Sequence, residues 1–275
     1  MKFTKMQGIG NDFILINLIK TKLSEDYSTL AKRVCDRHFG IGADGLILLL
    51  PSNFVELRAR FFNPDGSEAE MCGNGMRCLA KYLYERKLVK RKEIKVETKA
   101  GIIIPKLILS DDQVEAVEVD MGIPQLKRID IPMEGEGERV VDEELKIDDK
   151  KFKITALSLG NPHCLIFVER LSSSLVSKVG PQVENHPLFP QRTNVEFVQV
   201  LNKEEIELRV WERGVGETLA CGSGACAAVV GCVLNDKTKR RVKVHLRGGD
   251  LLVEWRDNDH LYLSGEAKEV FEGEI

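Results

Sequence analysis

The sequence predicts an α+β protein made of two similar strand-rich halves, each carrying one clear helix. Three observations predict it. Landmarks recur at a nearly constant interval: Gly10-Asn11-Asp12 returns in kind as Gly160-Asn161-Pro162, 150 residues on, and Cys72-Gly73-Asn74-Gly75 returns as Cys221-Gly222-Ser223-Gly224, 149 residues on. A glutamate, Glu68 or Glu217, stands four residues before each cysteine, and Ala100-Gly101 finds its counterpart 148 residues later in Gly248-Gly249. Short β-branched runs bounded by Gly, Pro and Asp fill both halves, and helical spacing follows each Cys-Gly-x-Gly. At about 150 residues per domain, a chain of 275 agrees with two domains.

In the first half the strand candidates are Ile14–Ile19, Gly45–Leu50, Ile94–Thr98 and Val114–Val119. An early helix is expected over Leu23–Arg37, with Ser24 as N-cap and a stop near Gly40. After Cys72, the residues Met76, Leu79, Ala80 and Leu83 keep the i, i+3, i+4, i+7 spacing of a helix, although Lys81, Glu85 and Arg86 make it look less buried than a central helix. Residues 122–150 fit neither repeat. They hold prolines and the acidic, glycine-containing stretch Glu134–Glu138, and read as a linker or surface excursion. Strands are expected in the second half at Phe152–Leu159, Cys164–Val168, Ile206–Trp211, Val242–Leu246 and Leu251–Trp255. Ala225–Leu234 is apolar all round, which predicts a fully buried helix. The domains are therefore placed at 1–122 and 123–262.

Composition narrows the function. Hydrophobic residues make up 43% and charged residues 30%, ordinary for a globular protein. With 40 Lys+Arg against 43 Asp+Glu, the net charge of −3 argues against a dedicated nucleic-acid binder. No apolar run reaches the ~20 residues of a membrane span, and Phe13–Ile19, broken by Asn17, is not followed by a cleavage site. A cytoplasmic protein with no membrane partner is expected. Seven cysteines, an odd number with no Cys-x-x-Cys pair, exclude a disulfide scaffold and speak against structural zinc.

The repeated cysteine carries the chemistry. A residue at the start of a helix sits beside unpaired N–H groups and the positive end of the dipole, so a thiol there ionises more easily, and the Gly-x-Gly backbone can approach a carboxylate. Two such sites related by pseudo-symmetry suggest a pair facing each other across one cleft, as stereo-inversion at a carbon requires: one thiolate takes the α-proton and the opposite thiol returns one. Cys35, Cys78, Cys164, Cys226 and Cys232 read instead as packing. His163 stands at the repeated landmark Asn161-Pro162-His163. Glu212 lies nine residues before Cys221, where Asn63 precedes Cys72; beside Val210 and Trp211 it is either paired, with Arg213, or tuned. Asn11, Asn63, Asn161 and Asn194 are either turn residues or neutral arms for a zwitterion.

The motifs together resemble the diaminopimelate epimerase family. The resemblance rests on five stretches, in order along nearly the whole chain. They are Phe3 through Gly10-Asn11-Asp12-Phe13; Asn63-Pro64-Asp65-Gly66-Ser67-Glu68 running into Cys72-Gly73-Asn74-Gly75-Met76-Arg77; Gly160-Asn161-Pro162-His163-Cys164; Arg192-Thr193-Asn194; and Glu212-Arg213-Gly214 through Cys221-Gly222-Ser223-Gly224-Ala225-Cys226. It implies interconversion of LL- and meso-diaminopimelate for lysine and peptidoglycan, with no pyridoxal phosphate and no metal. It further implies that Cys72 and Cys221 are the acid/bases and that His163 and Glu212 assist. Gly73-Asn74 and Gly222-Ser223 would hold the reacting carboxylate, and Asn11, Asn63, Asn161, Asn194 and Arg213 would orient the substrate. A planar guanidinium at Arg213 suits a distal carboxylate. The implied fold is two pseudo-symmetric domains, each a mostly antiparallel sheet wrapped around a central helix, with the active site in the cleft between them. In this fold the last strand, about 263–275, returns to the first domain, and relatives form homodimers. Gly45 departs from the glutamine some relatives carry.

The nearest rival is a proline or hydroxyproline racemase, which shares the mechanism but not the Gly-Asn-Asp-Phe opening or the Glu-Arg pair. A cysteine-based redox protein is a rival of another class. Facing thiols would oxidise, and that is expected to inactivate reversibly. A binding protein for amino acids would have no use for two matched thiols.

Overall fold

The computed structural model describes residues 1–275. In chain order its first elements are β1 (Lys2–Gly8), β2 (Asn11–Asn17), α1 (Tyr27–Cys35), β3 (Gly45–Pro51), β4 (Leu57–Phe62), β5 (Glu68–Ala69), α2 (Gly73–Glu85), β6 (Val96–Thr98), β7 (Gly101–Ile103), β8 (Lys106–Ser110) and β9 (Gln113–Asp120). There follow β10 (Val140–Ile147), β11 (Lys150–Ser158), β12 (Pro162–Phe167), α3 (Ser173–Glu184), β13 (Asn194–Val200), β14 (Glu205–Glu212), β15 (Gly216–Thr218), α4 (Gly222–Leu234), β16 (Arg241–Leu246), β17 (Gly249–Trp255), β18 (Leu261–Gly265) and β19 (Lys268–Glu274). The chain divides into two compact units, Met1–Asp120 with Ser264–Ile275, and Met121–Leu263. No helix is long and apolar enough to cross a membrane.

The repeat of motifs is a repeat of topology. The first unit's sheet runs β19-β1-β2-β3-β4-β6-β7 with β5 on β4; the second unit's contains the matching path β10-β11-β12-β13-β14-β16-β17 with β15 on β14, and continues beyond β17 into β18. The same two pairs are parallel in each, β2/β3 and β4/β6 in one, β12/β13 and β14/β16 in the other, and the rest of each path is antiparallel. A parallel neighbour needs a crossover. The helices α1 and α3 supply the first, and α2 and α4 the second. Each unit is thus a mostly antiparallel sheet packed on a helix that begins at the repeated cysteine.

The α4 helix is buried from Gly224 through Cys232 and lies against β11 to β14, β16 and β17. Gly231 lets it press on β12: a Cβ there would stand 2.3 Å from Leu165 Cδ2. The α2 helix buries Gly73 to Ala80 and Leu83. Lys81 is accommodated because its Nζ donates to Val114 O at 3.2 Å and pairs with Glu85. The five packing cysteines, Cys35, Cys78, Cys164, Cys226 and Cys232, are all buried.

Three expectations are corrected. The early helix is shorter than Leu23–Arg37: it begins after Asp26, not Ser24, because the Asp26 carboxylate accepts the Thr29 N–H at 3.0 Å and caps the first turn. Residues 122–150 are not a free linker. Glu134 and Glu136–Glu138 are exposed, but Ile131, Met133, Val140 and Leu145 enter the second unit's core, and β10 pairs with β11. Several elements lack an apolar signature and were not expected: β1, β4 and α3. In β4 the outward Arg58 and Arg60 alternate with the buried Leu57, Ala59 and Phe61. Arg60 covers the rings of Tyr27 and Phe62, its guanidinium carbon 5.1 and 4.9 Å from their centroids.

Candidate active site

Both signature cysteines are helix N-caps. Cys72 sits at φ −136°, ψ 115° and Cys221 at φ −130°, ψ 115°, and in each the sulfur accepts the N–H three residues on, from Gly75 at 3.5 Å and from Gly224 at 3.3 Å. The two N-caps are the same local structure built twice. In such a first turn the N–H groups before that donor, Gly73 and Asn74 or Gly222 and Ser223, have no intrahelical acceptor, and a helix start of this kind favours an anion.

In the first unit the structure joins Asn11 to Asn74. Asp44 can only accept, so Asn11 turns Nδ2 to it at 2.9 Å, and Asn11 Oδ1 then accepts Asn74 Nδ2 at 3.0 Å. This polarity leaves Asn74 Oδ1 buried and without a hydrogen-bond partner. Arg37 anchors the relay on Asp44 and Asp12. Burial pushes Asp12 up, but Arg37 and Lys5 outweigh it and hold its carboxyl at about 2. Asn63 lies apart from that pair, exposed, its Nδ2 donating to Ser67 Oγ at 2.9 Å.

In the second unit the structure brings most of the expected residues together. His163 pairs in register with Asn194 across β12 and β13. It is fully buried, with Nε2 3.0 Å from Asn161 Oδ1. The Asn194 amide is engaged on both sides: Nδ2 donates to Pro162 O at 2.9 Å, and Oδ1 accepts the Arg213 N–H at 3.0 Å. Glu212 accepts the Thr218 hydroxyl across β14 and β15. Arg213 sends Nη1 to Gln191 O at 3.1 Å. Ser223 Oγ lies 3.5 Å from Cys221 Sγ.

One expectation about Cys221 is reversed. Its thiol is held well above the ordinary value because burial opposes the thiolate most, with the charges of Glu212 and Glu196 adding to it; Ser223 and the Gly224 N–H pull the other way and lose. The helix start alone does not make this thiol acidic.

Two residues were not anticipated. Glu196 stands fully buried with Oε1 2.7 Å from His163 Nδ1. The sequence signal was present: a carboxylate inside the otherwise apolar run Val195 to Val198 needs a partner. Glu184, on α3, accepts from Trp211 Nε1 at 2.7 Å, from the Gly214 N–H at 2.8 Å and from Arg192 at 3.2 Å, and so fixes the turn that carries Glu212 and Arg213.

Comparison with known proteins agrees with this architecture. Among solved structures, a phenazine biosynthesis protein of the PhzF family from Bacillus anthracis superposes with a TM-score of 0.72 at 17% identity, covering 100% of this chain and 98% of that one. A hydroxyproline epimerase from Agrobacterium vitis superposes with a TM-score of 0.71 at 12% identity, covering 99% and 91%. At these identities the likeness is one of fold. Sequence comparison is more specific. The diaminopimelate epimerase of Pelotomaculum thermopropionicum is 58% identical over 275 residues, which is 100% of this chain and 98% of that protein. The family model for diaminopimelate epimerase matches residues 3–127 and 155–270, spanning both cysteine motifs, and the chain therefore belongs to the diaminopimelate epimerase family.

Proposed function

We propose that the chain interconverts LL- and meso-2,6-diaminopimelate, with Cys72 and Cys221 as the two acid/bases. The observation that carries this reading is the repeated N-cap: two cysteines of matched geometry, each at the head of a helix in its own copy of one fold, in a chain 58% identical to a diaminopimelate epimerase. One thiolate takes the proton from Cα. The electron pair left behind spreads into the carboxylate, whose growing charge is met by the first-turn N–H groups of Gly73-Asn74 and Gly222-Ser223. The second thiol gives its proton to the opposite face and becomes the thiolate. Burial and the charges of Glu212 and Glu196 favour the thiol form of Cys221, so Cys221 gives the proton when Cys72 takes one, and the reverse reaction exchanges the two roles.

His163 and Glu212 assist proton transfer. Asn11, Asn63, Asn161 and Asn194 orient the zwitterion by neutral hydrogen bonds. The reaction uses no pyridoxal phosphate and no metal. The enzyme acts in the cytoplasm as a homodimer and supplies lysine and peptidoglycan synthesis.

Arg213 clamps the distal carboxylate. Arg213→Lys replaces a planar fork by a point charge and is expected to lower kcat/KM for diaminopimelate on the order of 10- to 100-fold. An unchanged kcat/KM in steady-state assays removes Arg213 from that role.

The test of the function is solvent exchange. Reduced, dialysed protein is incubated with LL-diaminopimelate in D2O without added cofactor, and the α-proton is followed by NMR. Loss of the α-proton together with meso product supports the reading. Exchange with proline or hydroxyproline but not with diaminopimelate overturns the substrate and keeps the mechanism. No exchange with any of them overturns both.

A further inference from the structure

Glu196 lies outside the residues given a role above, yet it stands fully buried on β13. Its carboxylate and the His163 imidazole are both fully buried, Oε1 to Nδ1 at 2.7 Å. The other oxygen, Oε2, is buried with no hydrogen-bond partner; His163 is the side chain that bonds the group, beside the backbone N–H groups of Glu196 and Cys164. Room for it comes from Gly224: a Cβ there would stand 3.0 Å from Glu196 Oε1 and 3.2 Å from Cys221 Sγ. The carboxylate therefore sits beneath the first turn of α4, at the positive end of that helix, where an anion is favoured.

A buried pair of this kind holds its proton in one of two ways. Either the carboxylate is charged and accepts Nδ1–H, or a neutral carboxyl donates to a bare Nδ1 and the ring proton moves to Nε2. Burial is the largest influence and holds the Glu196 carboxyl above its ordinary value, although His163 and the backbone N–H groups of Glu196 and Cys164 pull it back towards the charged form. The helix terminus above it favours the first arrangement.

Building on the function proposed above, we infer that Glu196 is a positioning residue: its carboxylate keeps a proton on Nδ1 of His163 and so makes Nε2, facing Asn161, the nitrogen that exchanges protons. Asn161 completes the device. Its Oδ1 accepts when Nε2 carries a proton, and its amide donates after a rotation when Nε2 does not. The ring is held at one nitrogen and read at the other.

The test is the isosteric change Glu196→Gln in the full-length, reduced protein, which keeps the side chain's volume but can donate as well as accept. Protein labelled with 15N-histidine, with His163 assigned by His163→Gln among the five histidines, reports the tautomer through long-range 1H–15N couplings. The expected result is an Nδ1-protonated ring in the native protein, a ring released from that state in Glu196→Gln, and kcat lowered at least about tenfold with KM within twofold. Circular dichroism and a melting curve establish that the variant folds; if it does not, the native tautomer alone decides. A native ring protonated only on Nε2 overturns the inference. So does an unchanged tautomer with reduced kcat, which would make Glu196 merely structural, or a changed tautomer with unchanged kcat. Because the tautomer is read without turnover, failure here is distinct from failure of the two-thiol mechanism, which Cys72→Ser and Cys221→Ser report.

Discussion

Cys72→Ser and Cys221→Ser are each expected to lower epimerisation by on the order of 10²- to 10⁴-fold while leaving the fold intact. The two halves of that statement have different causes. A serine hydroxyl is a far weaker acid than a thiol, so it neither takes the α-proton as an anion nor gives one up readily, and one face of the carbon loses its acid/base. At the same time serine is among the preferred helix N-caps. Its Oγ can accept the Gly75 or Gly224 N–H that the sulfur accepts now, at 3.5 and 3.3 Å. A purely structural cysteine would therefore be replaced at no cost, and a catalytic one at the cost of turnover. The measurement pairs kcat with a melting curve. Loss of turnover with an unchanged melting temperature supports the two-thiol mechanism. Turnover within twofold of native in either variant removes that cysteine from the chemistry.

Much of this site was legible in the sequence because the chemistry repeats. Cys72-Gly73-Asn74-Gly75 and Cys221-Gly222-Ser223-Gly224 carry their own local rule, a capping sulfur and small residues in the first turn, and the structure places each at the head of a helix. The strand-rich halves could be read from their β-branched runs. What escaped had physical reasons. The β4 strand hides behind Arg58 and Arg60, whose charged heads face outward while Leu57, Ala59 and Phe61 face in. The α3 helix contains Gly180 and Pro181, both unfavourable inside a helix, and is held by packing that no local pattern reveals. The acidic stretch around Glu136 masked the core residues flanking it, Ile131 and Val140. The ionisation of Cys221 was misread because the helix dipole is visible in the sequence, whereas burial and the charges of Glu212 and Glu196 come from other elements.

The second large effect is expected from α3, the helix that the local pattern concealed. It approaches β14 because Gly180 has no Cβ: one there would stand 2.7 Å from Trp211 Cγ. That approach brings the buried Glu184 carboxylate onto Trp211 Nε1, the Gly214 N–H and Arg192. Three donors converge on one charged acceptor, and two of them flank Glu212 and Arg213 in the chain. Glu184→Ala removes the acceptor and leaves a carboxylate-sized gap with its donors unpaired. The expected loss is about 3 kcal/mol of stability, since hydrogen bonds to a charged group contribute roughly 1.5–3 kcal/mol and unmade buried ones cost about as much. Glu184→Gln is the sharper variant. It keeps the volume, but its NH2 opposes one donor, so only one of the Trp211 and Gly214 contacts survives and about half the loss is expected. Urea unfolding measures both. Because the Gly214 contact fixes the turn after Arg213, each variant should also raise KM for diaminopimelate more than it lowers kcat. A Glu184→Ala protein with native stability and native KM would mean that the turn is held by its strands alone, and that Glu184 only fills space beneath Trp211.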